Sequence, residues 1–198
     1  VEVIAQEHQI GIIALSSTGA ISVLFIRKQG IKREAIGLFT SAPWYANLIG
    51  IANGLIWAVI SCFSLSSMDP GADVAALWLR FNPLRIAMML IGPIRACLEY
   101  FFIRGFLMNQ LKEAKVPGFA QALLSAFVFA LNHSVWMIPI IGVYFLYGFF
   151  GSFFYGLLLA GLYSLGKRSL TPVMLSHGIT VLVGEPILTY VLLGSFMF

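Results

Sequence analysis

Charge is what this sequence has least of: Lys, Arg, Asp and Glu together make 10% of 198 residues, against 60% hydrophobic ones. A soluble domain carries about 25% charged and 45–50% apolar residues. A soluble core could not hide this much apolar surface, and a mean hydropathy of +0.93 makes lipid the solvent for most of the chain. Cysteine is nearly absent as well. Cys62 and Cys97 form neither a disulfide framework nor a metal-type spacing. The net charge of +4 is not spread as a basic stripe, because the cations sit between hydrophobic blocks. That pattern argues against nucleic acid as a partner. There is no HExxH, so the helical zinc-protease signature is missing.

What is present reads as an all-α, polytopic transmembrane helical bundle of six to seven short spans. We expect a single integral membrane domain over 1–198. The apolar runs are Ile10–Ile26, Trp44–Leu65, Pro83–Leu111, Gly118–Met137, Ile140–Leu165 and Leu170–Val183, with a last short segment at Pro186–Phe198. Trp44 is placed as an interfacial anchor. Ser66–Asn82 reads as a loop with a short surface helix over Val74–Leu79. Gly92-Pro93 is expected to kink or break the third run, since proline removes a backbone donor and clashes one turn back. The fifth run carries glycines at 142, 148, 151, 156, 161 and 166, which would let helices approach closely. With the N-terminus outside, the inner loops hold eight Lys and Arg and the outer loops two. That is a positive-inside bias.

Against this background Ile94–Leu107 stands out, because it is apolar yet carries Arg95, Glu99 and Arg104. Such charges at bilayer depth cost at least about 2.5–3.5 kcal/mol each, so they are paired, turned inward or functional. Arg95 and Glu99 are i,i+4 neighbours that can touch on a helix. Arg104 lies about 140° further round at 3.6 residues per turn, so it needs another partner or the membrane surface. Of three histidines, His8 reads as solvated, while His133 and His177 fall in separate apolar runs. Each imidazole alone could be packing glue between helices. Together with Glu99 they read as a site in a bundle core. Their depths agree only if the start of the fourth run, Val116–Gln121, lies along the inner surface. Otherwise His133 and His177 differ by about 13 Å in rise.

Glutamate and two histidines can hold zinc and leave a place for water. They can equally run a metal-free hydrolysis, with a desolvated glutamate as general base and imidazoles serving the oxyanion or the leaving amine. Ser176 is not favoured as a nucleophile, because neighbours on a helix point about 100° apart.

Glu99–Gly105 (E-Y-F-F-I-R-G), Phe129–His133 (F-A-L-N-H) and Leu175–His177 (L-S-H) resemble the three motifs of the CAAX-protease and bacteriocin-processing family of intramembrane endopeptidases. The family pattern is E-E-x-x-x-R, F-x-x-x-H and H-x-x-x-N or D. The resemblance implies a motif-bearing core at about 84–185, with Glu99, His133 and His177 as catalytic residues and Arg104 in support. It implies a membrane-associated peptide or protein substrate, lipid-modified or bearing a C-terminal sorting tail. The cofactor expected is none, with zinc as the other option on Glu99, His133 and His177. Tyr100 stands where the family has its second glutamate, and Val181 where it has Asn or Asp. Asn132 or Glu185 could take over the latter role, and Arg95 would favour the ionised form of Glu99 and weaken it as a base. Three functions follow: an endopeptidase of a prokaryotic plasma membrane, a family member without catalysis that binds or regulates in the membrane, or a small transporter or proton pathway.

Overall fold

A computed structural model describes residues 40–68, 71, 73–79, 83–135, 138 and 145–193, with scattered positions between 21 and 38. The first expected span, His8 and the segment beyond Leu193 lie outside these residues, apart from a few helical positions between 21 and 28. The described residues are all helical, with no strand among them. The elements are α1 (Trp44–Met68), α2 (Val74–Leu79), α3 (Pro83–Tyr100), a π-helical segment (Phe101–Leu107), α4 (Met108–Glu113), α5 (Gly118–Ser134), α6 (Phe145–Leu165) and α7 (Thr171–Leu193). Two of them, over Trp44–Ser64 and Phe145–Leu165, are long and apolar enough to cross a membrane. The short surface helix expected at Val74–Leu79 is α2, and Asp73 starts it by accepting the Ala76 N–H on its side chain at 2.9 Å.

Two boundaries differ from the sequence reading. Helix α3 continues through Gly92-Pro93 as α-helix without a break, and its α-helical pattern gives way later, at Phe101. The expected separate segment at Pro186 is also absent, because α7 continues past it to Leu193. Proline is tolerated within helices of apolar bundles when neighbours satisfy the freed carbonyl.

Helix α7 is the axis of the bundle. It packs most extensively on α1 and on α3, while α5 packs on α6. Small residues permit the α1–α7 approach. A Cβ on Gly50 would collide with the Pro172 carbonyl, and one on Gly54 with the Ser176 carbonyl. This Gly-x-x-x-Gly spacing in α1 is a readable helix-packing signal that the sequence reading passed over. In α6 only some glycines serve contact. Gly156 lies 3.0 Å from the Ala126 Cα by the same measure and Gly166 meets Pro172, whereas Gly151 and Gly161 face open space.

The turn from α6 to α7 holds Lys167 and Arg168 at φ 56° and 64°. The left-handed region is unfavourable for residues with a Cβ. Arg168 offsets this with a fork of bonds to Asn109 Oδ1 at 2.7 Å, Gln121 Oε1 at 3.2 Å and the Met108 carbonyl at 2.5 Å. One guanidinium thereby gathers α4, the first turn of α5 and the α6–α7 turn at one end of the bundle.

Candidate active site

Glu99 and Tyr100 close α3, His133 sits in the last turn of α5, and His177 lies in the second turn of α7. Three chain-distant helices therefore bring the expected trio together. The His133 Nε2 atom is 3.6 Å from Glu99 Oε2, and the two imidazole centroids are 5.8 Å apart. Helix α5 makes this meeting as one unbroken helix from Gly118. Gln121, which was expected to mark the inner surface, is buried and bonds the Val116 carbonyl at 2.8 Å.

Glu99 is fully buried, and neither carboxylate oxygen has a hydrogen-bond partner. The i,i+4 contact with Arg95 is therefore not made. Arg95 stays half-buried on α3. The imidazole of His133 is anchored from behind: its Nδ1 is 2.9 Å from the Phe129 carbonyl of its own helix. A carbonyl only accepts, so Nδ1 carries a hydrogen, and in the neutral imidazole Nε2 is then a lone pair facing Glu99. His177 is held by Tyr100, whose hydroxyl is 2.6 Å from Nδ1. Phe129 is the hub of the site, with its ring 4.1 Å from His133, 5.7 Å from His177 and 6.3 Å from Tyr100 by centroids. That contact set gives a physical reason for the phenylalanine four residues before the histidine.

Arg104 is also fully buried. Its guanidinium donates to Ser125 Oγ of α5 and, at 2.7 Å, to the Gly156 carbonyl of α6. It also lies 5.8 Å from the Phe129 ring centroid, within cation–π range. Arg104 thus ties the π segment to the helix that carries His133. Gly105 after it is required by space, because a Cβ there would stand 2.7 Å from the Ile36 carbonyl.

Val181, one turn past His177, is buried and packs its Cγ1 against Gly92 of α3. Asn132 is half-buried beside His133. Glu185 lies on α7, but its side chain is outside the described residues.

The sequence reading missed a polar network beneath His177. Asn53 donates to Ser176 Oγ at 2.8 Å, Tyr155 Oη lies 3.2 Å from Ser176 Oγ and 2.8 Å from Thr180 Oγ1, and Thr180 donates to the Gly54 carbonyl at 3.2 Å. Trp57 stacks on Tyr155 at 4.6 Å. The available signal was a run of hydroxyl-bearing residues in α7, since a buried Tyr or Thr needs a partner. Ser176 is held in this network by Asn53 and Tyr155.

Glu99 and His133 approach one another, while His177 meets Tyr100 through Nδ1. No group of three His, Cys, Asp or Glu among the described residues is arranged to hold a metal ion.

No curated protein and no solved structure matches the chain. One family does, described as type II CAAX prenyl endopeptidase Rce1-like, and the match covers residues 80–183. It spans more than half of the sequence and takes in Glu99, Arg104, His133 and His177, all of the motif residues that converge in the bundle core. The resemblance carried by three short motifs thus extends along α3 to α7, and the chain belongs to the Rce1-like family of membrane-integral proteases.

Proposed function

We propose that this protein is an intramembrane endopeptidase in which Glu99 activates water against a peptide bond. The observation that carries this reading is a fully buried carboxylate, 3.6 Å from an imidazole nitrogen, with no hydrogen-bond partner for either oxygen or for that nitrogen. With the imidazole neutral these are two facing acceptors, which repel unless hydrogen lies between them. A water donating one O–H to Glu99 and the other to His133 Nε2 satisfies both and leaves its oxygen lone pairs for a carbonyl carbon.

The steps then balance. As the water oxygen bonds to the carbonyl carbon, its proton passes to Glu99, and the carbonyl oxygen becomes an oxyanion that His177 stabilises. Collapse breaks the C–N bond, the proton held by Glu99 passes to the leaving amine, and a carboxylic acid remains, whose proton is lost. No metal step enters. Arg104 and Phe129 hold the helices that set the distances.

The substrate is a membrane-associated peptide or protein with a lipid-modified or C-terminal sorting tail. An apolar cavity of about 390 Å³ supports this, lying between α3 and α7 and lined by Leu38, Pro93, Cys97, Met174, Gly178 and Leu182. Pro93 and Cys97 precede Glu99 on α3, and Gly178 follows His177, so the cavity lies between the same two helices that carry Glu99 and His177. The full molecule is a bundle of six to seven spans with its N-terminus outside, in a prokaryotic plasma membrane.

The test is cleavage of membrane-anchored candidate peptides in proteoliposomes, read by intact mass. Glu99→Gln, His133→Ala and His177→Ala are each expected to abolish the fragment, and wild type is expected to keep its rate in strong chelator. Full activity of Glu99→Gln would sink the hydrolytic reading, and loss of activity on chelation that zinc restores would replace it with a zinc-assisted one.

A further inference from the structure

Tyr100 occupies the position where the family motif carries a second glutamate, and it cannot do what a carboxylate does. It is completely buried, its ring lies edge-on to His177 with centroids 5.4 Å apart, and its hydroxyl meets His177 Nδ1 at 2.6 Å. Among the described residues that hydroxyl has no other hydrogen-bond partner. Either atom of the pair could formally be the donor. If Nδ1–H donated to the phenol oxygen, the phenol hydrogen would be left in a dry core without an acceptor, which buried polar groups avoid. If the phenol donates, every hydrogen is used. The neutral imidazole then carries its own proton on Nε2.

We propose that Tyr100 is a positioning residue that locks His177 in the Nε2–H tautomer, while the Phe129 carbonyl locks His133 in the opposite, Nδ1–H tautomer. The inference rests on the hydrolytic reading above and divides its labour. His133 presents a lone pair to the water, and His177 presents an N–H to the oxyanion. An ionised glutamate at position 100 would only accept, and would draw the proton of His177 to Nδ1. The tyrosine therefore makes His177 a donor where the usual Asn or Asp partner is replaced by Val181. Phe129 and Tyr155 flank the same imidazole at 5.7 and 5.8 Å by centroids, so the ring is fenced on its sides while Tyr100 sets its proton.

The test is nitrogen NMR of protein labelled with ¹⁵N-histidine in lipid nanodiscs, with His133→Gln and His177→Gln used for assignment. The wild type is expected to show His177 protonated on Nε2 and bare on Nδ1, and His133 the reverse. Tyr100→Phe keeps the ring and its packing but removes the donor. It is expected to redistribute the His177 proton between both nitrogens and to lower kcat about 10- to 100-fold with little change in KM, in the range for a weakened oxyanion donor. A wild-type His177 protonated on Nδ1, or a Tyr100→Phe spectrum unchanged from wild type, would overturn the lock. If Tyr100→Phe does not fold, the wild-type spectrum alone decides. The tautomer readout needs no turnover, so an active Glu99→Gln with the expected tautomers would remove the hydrolytic reading and leave the lock standing.

Discussion

Arg104 carries a full charge into the bundle core, and its bonds there go to a hydroxyl and a carbonyl rather than to an acid. Hydrogen bonds from a charged donor contribute about 1.5–3 kcal/mol each. Only a planar fork reaches Ser125 and Gly156 at once, so Lys is not a conservative replacement. Arg104→Lys is expected to lower stability by about 2–4 kcal/mol on that scale. Thermal unfolding in detergent checks this, and a melting curve like wild type would show that the fork is dispensable. Val181 raises a different question at the same scale. It lies four residues past His177 and so on the same face of α7. Val181→Asn is expected to add a second oxyanion donor and raise kcat with KM unchanged. Its buried amide should also cost about 1–3 kcal/mol of stability. A rate equal to or below wild type would show that His177 already suffices.

The π segment is the element on which the site turns. On an α-helix Glu99 and Arg104 would point about 140° apart. Hydrogen bonding from i to i+5 brings residues five apart toward one side. The buried pairs are Glu99 with Arg104, Tyr100 with Gly105, and Ile103 with Met108, each five apart. The Glu99 carboxylate and the helix-tying guanidinium can thus both turn inward from consecutive turns, although regular α-helix geometry would set them about 140° apart. Helix contact supplies a second test at this scale. Gly54→Ala would drive a methyl into the Ser176 carbonyl one residue before His177, whereas Gly161→Ala points into open space. The first is expected to lose about 1–3 kcal/mol and most activity. The second should be neutral or gain up to about 1 kcal/mol of helix propensity. Parallel melting and cleavage assays separate them, and equal behaviour would contradict the α1–α7 packing.

At the scale of the whole molecule, Arg168 draws the start of α4, the start of α5 and the α6–α7 turn together. Lys112, Lys115, Lys167 and Arg168, four of the eight cations expected on the inner side, lie on α4, the α4–α5 turn and the α6–α7 turn. Single cysteines at Lys115 and Lys167, on a background without Cys62 and Cys97, are expected to react with an impermeant thiol reagent only from the cytoplasmic side. Labelling of the two from opposite sides would refute this arrangement. Much of the bundle was legible beforehand. Composition is a sum over residues, helical apolar runs are local, and a glutamate and two histidines are conspicuous in lipid because burying them is costly. The motifs could therefore be read, and so could α2. The partners of the buried groups could not. Pro93 looked like the break because proline is a local rule, yet its neighbours absorbed it, and the irregular turn came at residues with no local signature. Arg104 meets Gly156 across 52 residues, and Tyr100 meets His177 across 77. Which nitrogen of His177 carries the proton depends on the second of these long-range contacts, because a proton's place on an imidazole follows from what the other nitrogen touches.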